Sequence, residues 1–383
     1  MGTAKAKRTL LTFLFHRSPF TMPNSRLRAP TRRLVVPHGS SWDLRGLILL
    51  SAAGLLVAAC AKNNSLPLVK QTRLLMDTYV TITAAGPQKP ASAAVQAAFD
   101  RMEEISRKFN HLDTLSPVYR FNTRNEPITD SEVVNVVRAA QQVSEATGGV
   151  FDVTVEPLVR LWGFYGDEPA LPDPRAIDSC RALVGYRKLS VQADRVTKDD
   201  SRVTIDLGGI AKGYALAEAA AVLRGRGVDS ALIDLGGDVY ALGRKAGQNW
   251  KIGVRNPRAD GILGVVQASN LAVVTSGDYE RFFFGPDSMR YCHIIDPRTG
   301  RPAQGIASTT VIMRDPLESQ GWSKVLFILG PQAMRYAGQA GFEAMIINDS
   351  LRAFLTPGLA GILDSTALQA TRESLAGRDK TTQ

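Results

Sequence analysis

The sequence predicts an α+β domain, and three observations carry that prediction. Between residues 230 and 300 strand-like runs follow one another without intervening helices, unlike a regular βαβ array. Two amphipathic helical stretches precede that region, at 91–108 and 131–147. The chain has 383 residues, 44% of them hydrophobic and 21% charged, which suits a large globular core.

Taken in order, the chain opens with an address. Residues 46–59 (GLILLSAAGLLVAA) form an apolar run preceded by Arg45 and ended by Cys60. That run is shorter than the roughly 20 residues that span a bilayer. It has the length and small-residue ending of a signal-peptide core. Leu56–Cys60 (LVAAC) resembles a lipobox, in which Cys60 is acylated and becomes the new N-terminus. Residues 1–59 are therefore expected to be a signal peptide, 60–70 a lipid-anchored tether, and the mature protein an envelope lipoprotein facing the periplasm. Either Met1 or Met22 can serve as the start.

The mature chain follows. Residues 74–83 (LLMDTYVTIT) are rich in β-branched side chains and read as a strand. The helix at 131–147 stops at Gly148-Gly149, a C-terminal signal. Residues 203–206 read as a strand entering Gly208-Gly209, followed by a helix over 211–224. Residues 230–234, 250–254 and 265–275 read as strands, 321–329 and 331–340 as helices, and 344–348 with 353–355 as a closing hairpin. One domain over 71–370 and a polar tail over 371–383 complete the chain.

Composition excludes several function classes. The net charge of +10 suggests nucleic acid until it is mapped: residues 1–59 hold nine Lys/Arg and one acid, Asp43, so the remainder is near neutral. No nucleic-acid partner is expected. Cys60, Cys180 and Cys292 form no CxxC pair, so no zinc ribbon or disulfide framework is indicated. Only His111 and His293 follow Cys60, too few for a His-rich metal centre.

Three segments carry chemistry. Asp206–Tyr214 (DLGGIAKGY) places a glycine pair before a helix, where free N–H groups and a positive dipole end suit an anion, and Lys212 adds a charge. Leu235–Asp238 (LGGD) reads equally well as a plain hairpin turn. Thr275–Tyr279 (TSGDY) and His293–Gly300 (HIIDPRTG) combine a short polar loop with an isolated histidine.

Together, and in this order, these segments resemble the FAD:protein FMN transferases, the ApbE-like flavin transferases. Ser144–Phe164 (SEATGGVFDVTVEPLVRLWGF) and Trp250–Pro257 (WKIGVRNP) extend the resemblance, which runs from about 76 to 330. It implies a single compact domain of layered antiparallel sheets with outer helices. It also implies transfer of FMN from FAD to a Ser/Thr hydroxyl of an exported or membrane redox protein, with release of AMP. Such an acceptor would carry a D-G-x-[ST]-G-A-[ST] motif. By the same resemblance Met76 contacts the flavin, and Val150, Phe151 and Asp152 line the adenosine side. Asp206 and Lys212 contact FAD, Thr275, Ser276 and Asp278 lie near the pyrophosphate, and His293 faces the reaction centre as proton acceptor.

The chain departs from the family where Mg²⁺ is held. The family shows A-D-A-L-S-T-A, whose Asp and Thr bind the metal; here Gln320 and Lys324 stand at those positions. The third family ligand, a backbone carbonyl, falls at Gly209. Three readings stay open: Lys324 supplies the charge itself, the protein binds FAD without transferring it, or Mg²⁺ is kept through Ser323 or Asp315. Asp77 replaces a family glycine, and Asn110-His111-Leu112 replaces a segment with a flavin-stacking aromatic, leaving Phe109 as a substitute.

Overall fold

The computed structural model describes residues 66–166 and 168–364. The expected signal peptide, the acylated Cys60 and the polar tail over 371–383 lie outside the described residues.

The first two strands, β1 (Leu68–Leu75) and β2 (Thr78–Ala85), form one antiparallel hairpin. The single strand expected over 74–83 is thus divided by a tight turn at Met76-Asp77, where both residues have positive φ (52° and 59°). Strand β1 begins inside the stretch read as a tether, because Leu68 and Val69 pair with Ala85 and Ala84.

Helix α1 (Gln88–Phe109) buries Ala91, Val95, Phe99, Met102 and Phe109 along one face, the 3.6-residue repeat seen in the sequence. Helix α2 (Pro117–Arg124) starts at Ser116, whose hydroxyl accepts from Tyr119 N–H. Helix α3 (Ser131–Thr147) is capped by the Asp130 carboxylate and closed by Gly148 in the left-handed region. Short helices α4 (Glu156–Leu161) and α5 (Pro174–Arg181) and the small hairpin β3 (Leu189–Val191)–β4 (Val196–Lys198) lead to helix α6 (Ala211–Gly225).

Strands β5 (Ala231–Leu235), β6 (Asp238–Leu242), β7 (Trp250–Arg255), β8 (Ile262–Ala268) and β9 (Leu271–Gly277) follow in succession. The strand expected over 265–275 is thus two, joined by a turn in which Asn270 has φ 53°. Two-residue and three-residue strands β10 (Phe282–Phe284), β11 (Arg290–Cys292), β12 (Ile295–Asp296) and β13 (Arg301–Pro302) carry the chain to β14 (Ile306–Met313) and helix α7 (Pro316–Leu329). The helix expected over 331–340 is a 3₁₀ turn, Gly330–Tyr336, and one α-turn, α8 (Ala337–Ala340), before β15 (Glu343–Asn348) and β16 (Ala353–Leu355).

An eight-stranded sheet in the order β1-β2-β5-β6-β9-β14-β15-β16 is antiparallel throughout. Helices α1, α3, α6 and α7 pack on one face in the main apolar core. The β7–β8 hairpin covers the other face with Trp250, Ile252 and Val266. This layering explains why all eight residues of β14 are buried, since neither face of that strand meets solvent. The layers agree with the predicted α+β class. Cys180 and Cys292 are free thiols. Among the described residues no helix is long and apolar enough to cross a membrane.

Candidate active site

Residues 203–206 are not a sheet strand. Their backbone is extended, but its partner is a side chain: Asn122 Nδ2 donates to Ile205 O (2.8 Å) and Ile205 N–H donates to Asn122 Oδ1 (2.9 Å). Asp206 N–H then donates to Val153 O (2.8 Å). This bracing delivers the glycine turn to the head of α6. Gly209 sits close to the Phe151 ring, since a Cβ there would lie 3.3 Å from it. The turn is not the open cradle of N–H groups the sequence suggests. Gly208 N–H donates to Asp206 Oδ1 (2.7 Å), and Ile210 and Ala211 N–H both donate to Leu207 O. Its contribution is to aim Lys212.

Lys212 reaches the end of β6, with Nζ 3.6 Å from Asp238 Oδ2. Asp238 follows the Gly236-Gly237 turn, where both φ values are positive (64° and 92°). A Cβ on Gly236 would meet Thr78 Oγ1 at 2.5 Å, so this turn packs tightly against the residues following Met76-Asp77. The LGGD segment is therefore a hairpin turn that also presents a carboxylate to Lys212. Asp238 was not among the site residues read from sequence, and the glycine pair before it was the available signal. Its Oδ1 accepts from Thr275 N–H (3.2 Å) on β9.

Helix α7 brings the third group. Lys324 Nζ donates to Gln320 Oε1 (2.7 Å), one helical turn back. Gln320 is fully buried, and its Nε2 has no hydrogen-bond partner. Burial pushes the Lys324 ammonium down to about 8; Asp238 opposes that shift and Lys212 adds to it. Beside Gln320, Ser323 Oγ donates to Gln320 O (2.8 Å) and lies 2.9 Å from Ser276 Oγ. Thr275 Oγ1 pairs with Thr310 Oγ1 (2.9 Å) across β9 and β14.

His293 follows β11, and its ring meets the Phe164 ring edge-on at 6.4 Å between centroids. Its Nδ1 lies 3.3 Å from Arg281 O. A carbonyl can only accept, so Nδ1 carries the hydrogen and Nε2 keeps the lone pair. Burial pushes this imidazole down to about 4. The Arg281 hydrogen bond opposes the shift, and the charges of Lys324, Arg281 and Lys212 reinforce it. Lys212, Lys324 and His293 thus share one electrostatic neighbourhood.

The remaining residues expected at the site are held as follows. Val150 and Phe151 lie in the main core. Asp152 turns inward, accepting from Thr154 N–H, Thr154 Oγ1 and Tyr186 N–H. Asp278 is clamped by both guanidinium nitrogens of Arg258 at 2.6 Å each, with Arg290 at 3.4 Å. Met76 packs against the main core in its left-handed turn. Asp206 accepts from Tyr165 OH (2.7 Å), and His111 Nδ1 lies 3.7 Å from its other oxygen. Phe109 is no free stacking surface: it is buried and packs on Tyr214 at 5.3 Å between centroids.

A divalent metal does not fit these residues. Where the family has a carboxylate there is a carboxamide, whose oxygen already accepts from the Lys324 ammonium. A hard dication needs several free oxygens, favours carboxylates, and is repelled by an adjacent ammonium. No group of three His, Cys, Asp or Glu converges as a metal site among the described residues. A separate groove of about 990 Å³, lined by residues of α1 and α2, has Glu103, Arg107, Lys108 and Asp130 on its walls. Those charges are paired with one another.

The ApbE family model matches residues 76–346. A Vibrio cholerae FAD:protein FMN transferase is 31% identical over 304 residues, covering 76% of this chain and 89% of that protein. The Salmonella typhimurium FAD:protein FMN transferase is 32% identical over 265 residues, covering 65% and 73%. In structure the chain is similar to the Thermotoga maritima ApbE protein, with TM-score 0.74 and 30% identity over 78% of this chain and all of that one. It is also similar to the Vibrio cholerae flavin transferase ApbE, with TM-score 0.71 and 26% identity over 78% and 99%. With more than half its length matched by the family model and the same sheet and helices around these residues, the chain belongs to the ApbE family.

Proposed function

We propose that this protein is an FAD:protein FMN transferase that joins the FMN half of FAD to a Ser or Thr hydroxyl of a partner protein. The observation that carries this reading is the meeting of Lys212 and Lys324 beside Asp238, with the neutral His293 within the field of both ammoniums. Cations on that scale stabilise charge on the oxygens of a transferring phosphoryl group, and phosphoryl transfer asks for little beyond positioning and such neutralisation.

The acceptor hydroxyl oxygen attacks the FMN-side phosphorus, and a phosphoester bond forms. The bond from that phosphorus to the bridging oxygen breaks, and AMP leaves with that oxygen and the bonding pair. The hydroxyl proton passes to His293 Nε2, which the Arg281 carbonyl leaves free to receive it. Lys212 and Lys324 face the charged oxygens. Met76, at the Met76-Asp77 turn beside the Gly236-Gly237 turn, supplies apolar surface for the flavin ring. The sequence before Cys60 supports an acylated, envelope-facing form whose partners are exported redox proteins carrying D-G-x-[ST]-G-A-[ST].

The test is incubation of the full chain with FAD and a peptide carrying that motif, followed by in-gel flavin fluorescence and mass measurement. Covalent gain of FMN on the hydroxyl is expected. Tight FAD binding with no labelled peptide would instead establish a flavin-binding protein without transfer.

A further inference from the structure

The ammoniums of Lys212 and Lys324 both act beside Asp238. Lys212, Lys324 and Arg281 all act on His293; Asp238 is set against the first two, and Asp234 also faces Lys212. Arg281 has its acid, Asp77, at 3.9 Å on the exposed side. Asp238 is itself divided between the Thr275 N–H and the Lys212 ammonium. The two ammoniums repel, as the effect of Lys212 on Lys324 shows. A second dianionic or polyanionic group would relieve that repulsion, and a dication would worsen it.

Hydrogen bonding gives the same sign independently. Because Lys324 Nζ can only donate, the Gln320 carboxamide must turn its oxygen toward it and its nitrogen away. That nitrogen is a buried donor without an acceptor. Nearby oxygens are committed: Ser323 Oγ bonds Gln320 O and Ser276 Oγ, and Thr309 Oγ1 donates to Ser323 O. What the Gln320 amide lacks is an acceptor.

We infer that Lys324, Lys212 and the Gln320 carboxamide form a metal-free clamp for the FAD diphosphate, so that flavin binding and transfer proceed without a divalent cation. This rests on the transferase reading. In the clamp, Lys324 and Lys212 place a charge on each side of the diphosphate, and the Gln320 amide gains the acceptor it lacks. The carboxamide in place of a carboxylate is then what lets an ammonium sit one turn along α7 in a buried setting.

The experiment needs no variant for its first arm. The full chain is stripped with EDTA, and FAD affinity is read by flavin fluorescence, with and without millimolar Mg²⁺, alongside covalent labelling of the peptide. Affinity within about twofold between the two conditions, with labelling retained in EDTA, is expected. In the second arm, Lys324→Met keeps the aliphatic stem and is expected to weaken FAD binding by about tenfold or more without metal, with Lys324→Arg recovering part of it. In the third, Gln320→Asp/Lys324→Thr is expected to make FAD affinity Mg²⁺-dependent by about tenfold. Loss of FAD binding and labelling when the native chain is stripped, with recovery in Mg²⁺, would overturn the clamp while leaving the transferase reading intact. Absence of FAD binding in both conditions would overturn that reading and the clamp with it.

Discussion

Met76 and Asp77 occupy consecutive left-handed positions in the β1–β2 turn, although neither is glycine. Asp tolerates that region better than most residues, whereas a long apolar side chain there is uncommon, and such strain concentrates where a side chain has a task. The Arg281–Asp77 pair is exposed and 3.9 Å long, too weak to offset much strain. Replacing Asp77 by Gly is therefore expected to stabilise the protein by about 1 kcal/mol, seen as a Tm rise of roughly 2 °C by calorimetry. At His293 the sign of the pH dependence follows from its depressed value. Between about 4 and the ordinary 6.5 the unfolded chain binds a proton that the folded one refuses, so stability falls as pH drops through that window. Transfer is expected to persist to low pH, failing as Nε2 protonates near 4, and to decline above about 8 as Lys324 loses its charge. A rate profile with those two limbs, and a loss of about 10²–10⁴-fold in His293→Gln, are the measurements that check these roles.

At the scale of elements, the segment at 203–206 is held by one amide from α2 acting as a strand would. Asn122→Ala strips a donor and an acceptor from Ile205 and is expected to cost about 1–3 kcal/mol in denaturant melts. FAD affinity should fall as well, because that segment aims Lys212. The same segment shows what the sequence conveys and what it withholds. Helix α3 is legible to its end residues, since Asp130 and Gly148 lie within a few positions of the turns they cap. The β-branched run at 203–206 looks like a strand because its backbone is extended; its partner lies 83 residues away. The β1–β2 hairpin, and the successive strands β8 and β9 that belong to different sheets, merge in the sequence because Met76-Asp77 and Asn270 turn the chain without glycine. His293, Lys212 and Lys324 are found by motif, whereas Asp238 and Arg281 acquire their meaning from neighbours brought by other strands.

Among the described residues the main sheet is antiparallel and walled by helices on one side and by the β7–β8 hairpin on the other. The candidate site draws Lys212 from the head of α6, Asp238 from β6, Thr275 and Ser276 from β9, His293 from after β11, and Lys324 from α7. These groups all fall within 212–324 but are held by the sheet and helices of the whole domain, so a chain cut inside 68–364 is expected to bind no flavin. β14, enclosed on all eight residues, stands between β9 and β15 directly behind these groups. Its amide protons should then be among the last to exchange with deuterium. If the floor beneath the reacting phosphate is also the slowest-opening part of the protein, warming offers no intermediate stage at which a loosened sheet still grips its nucleotide. Near-ultraviolet dichroism and bound-flavin fluorescence should vanish on a single curve, and two separated curves would show that the floor gives way independently of the walls.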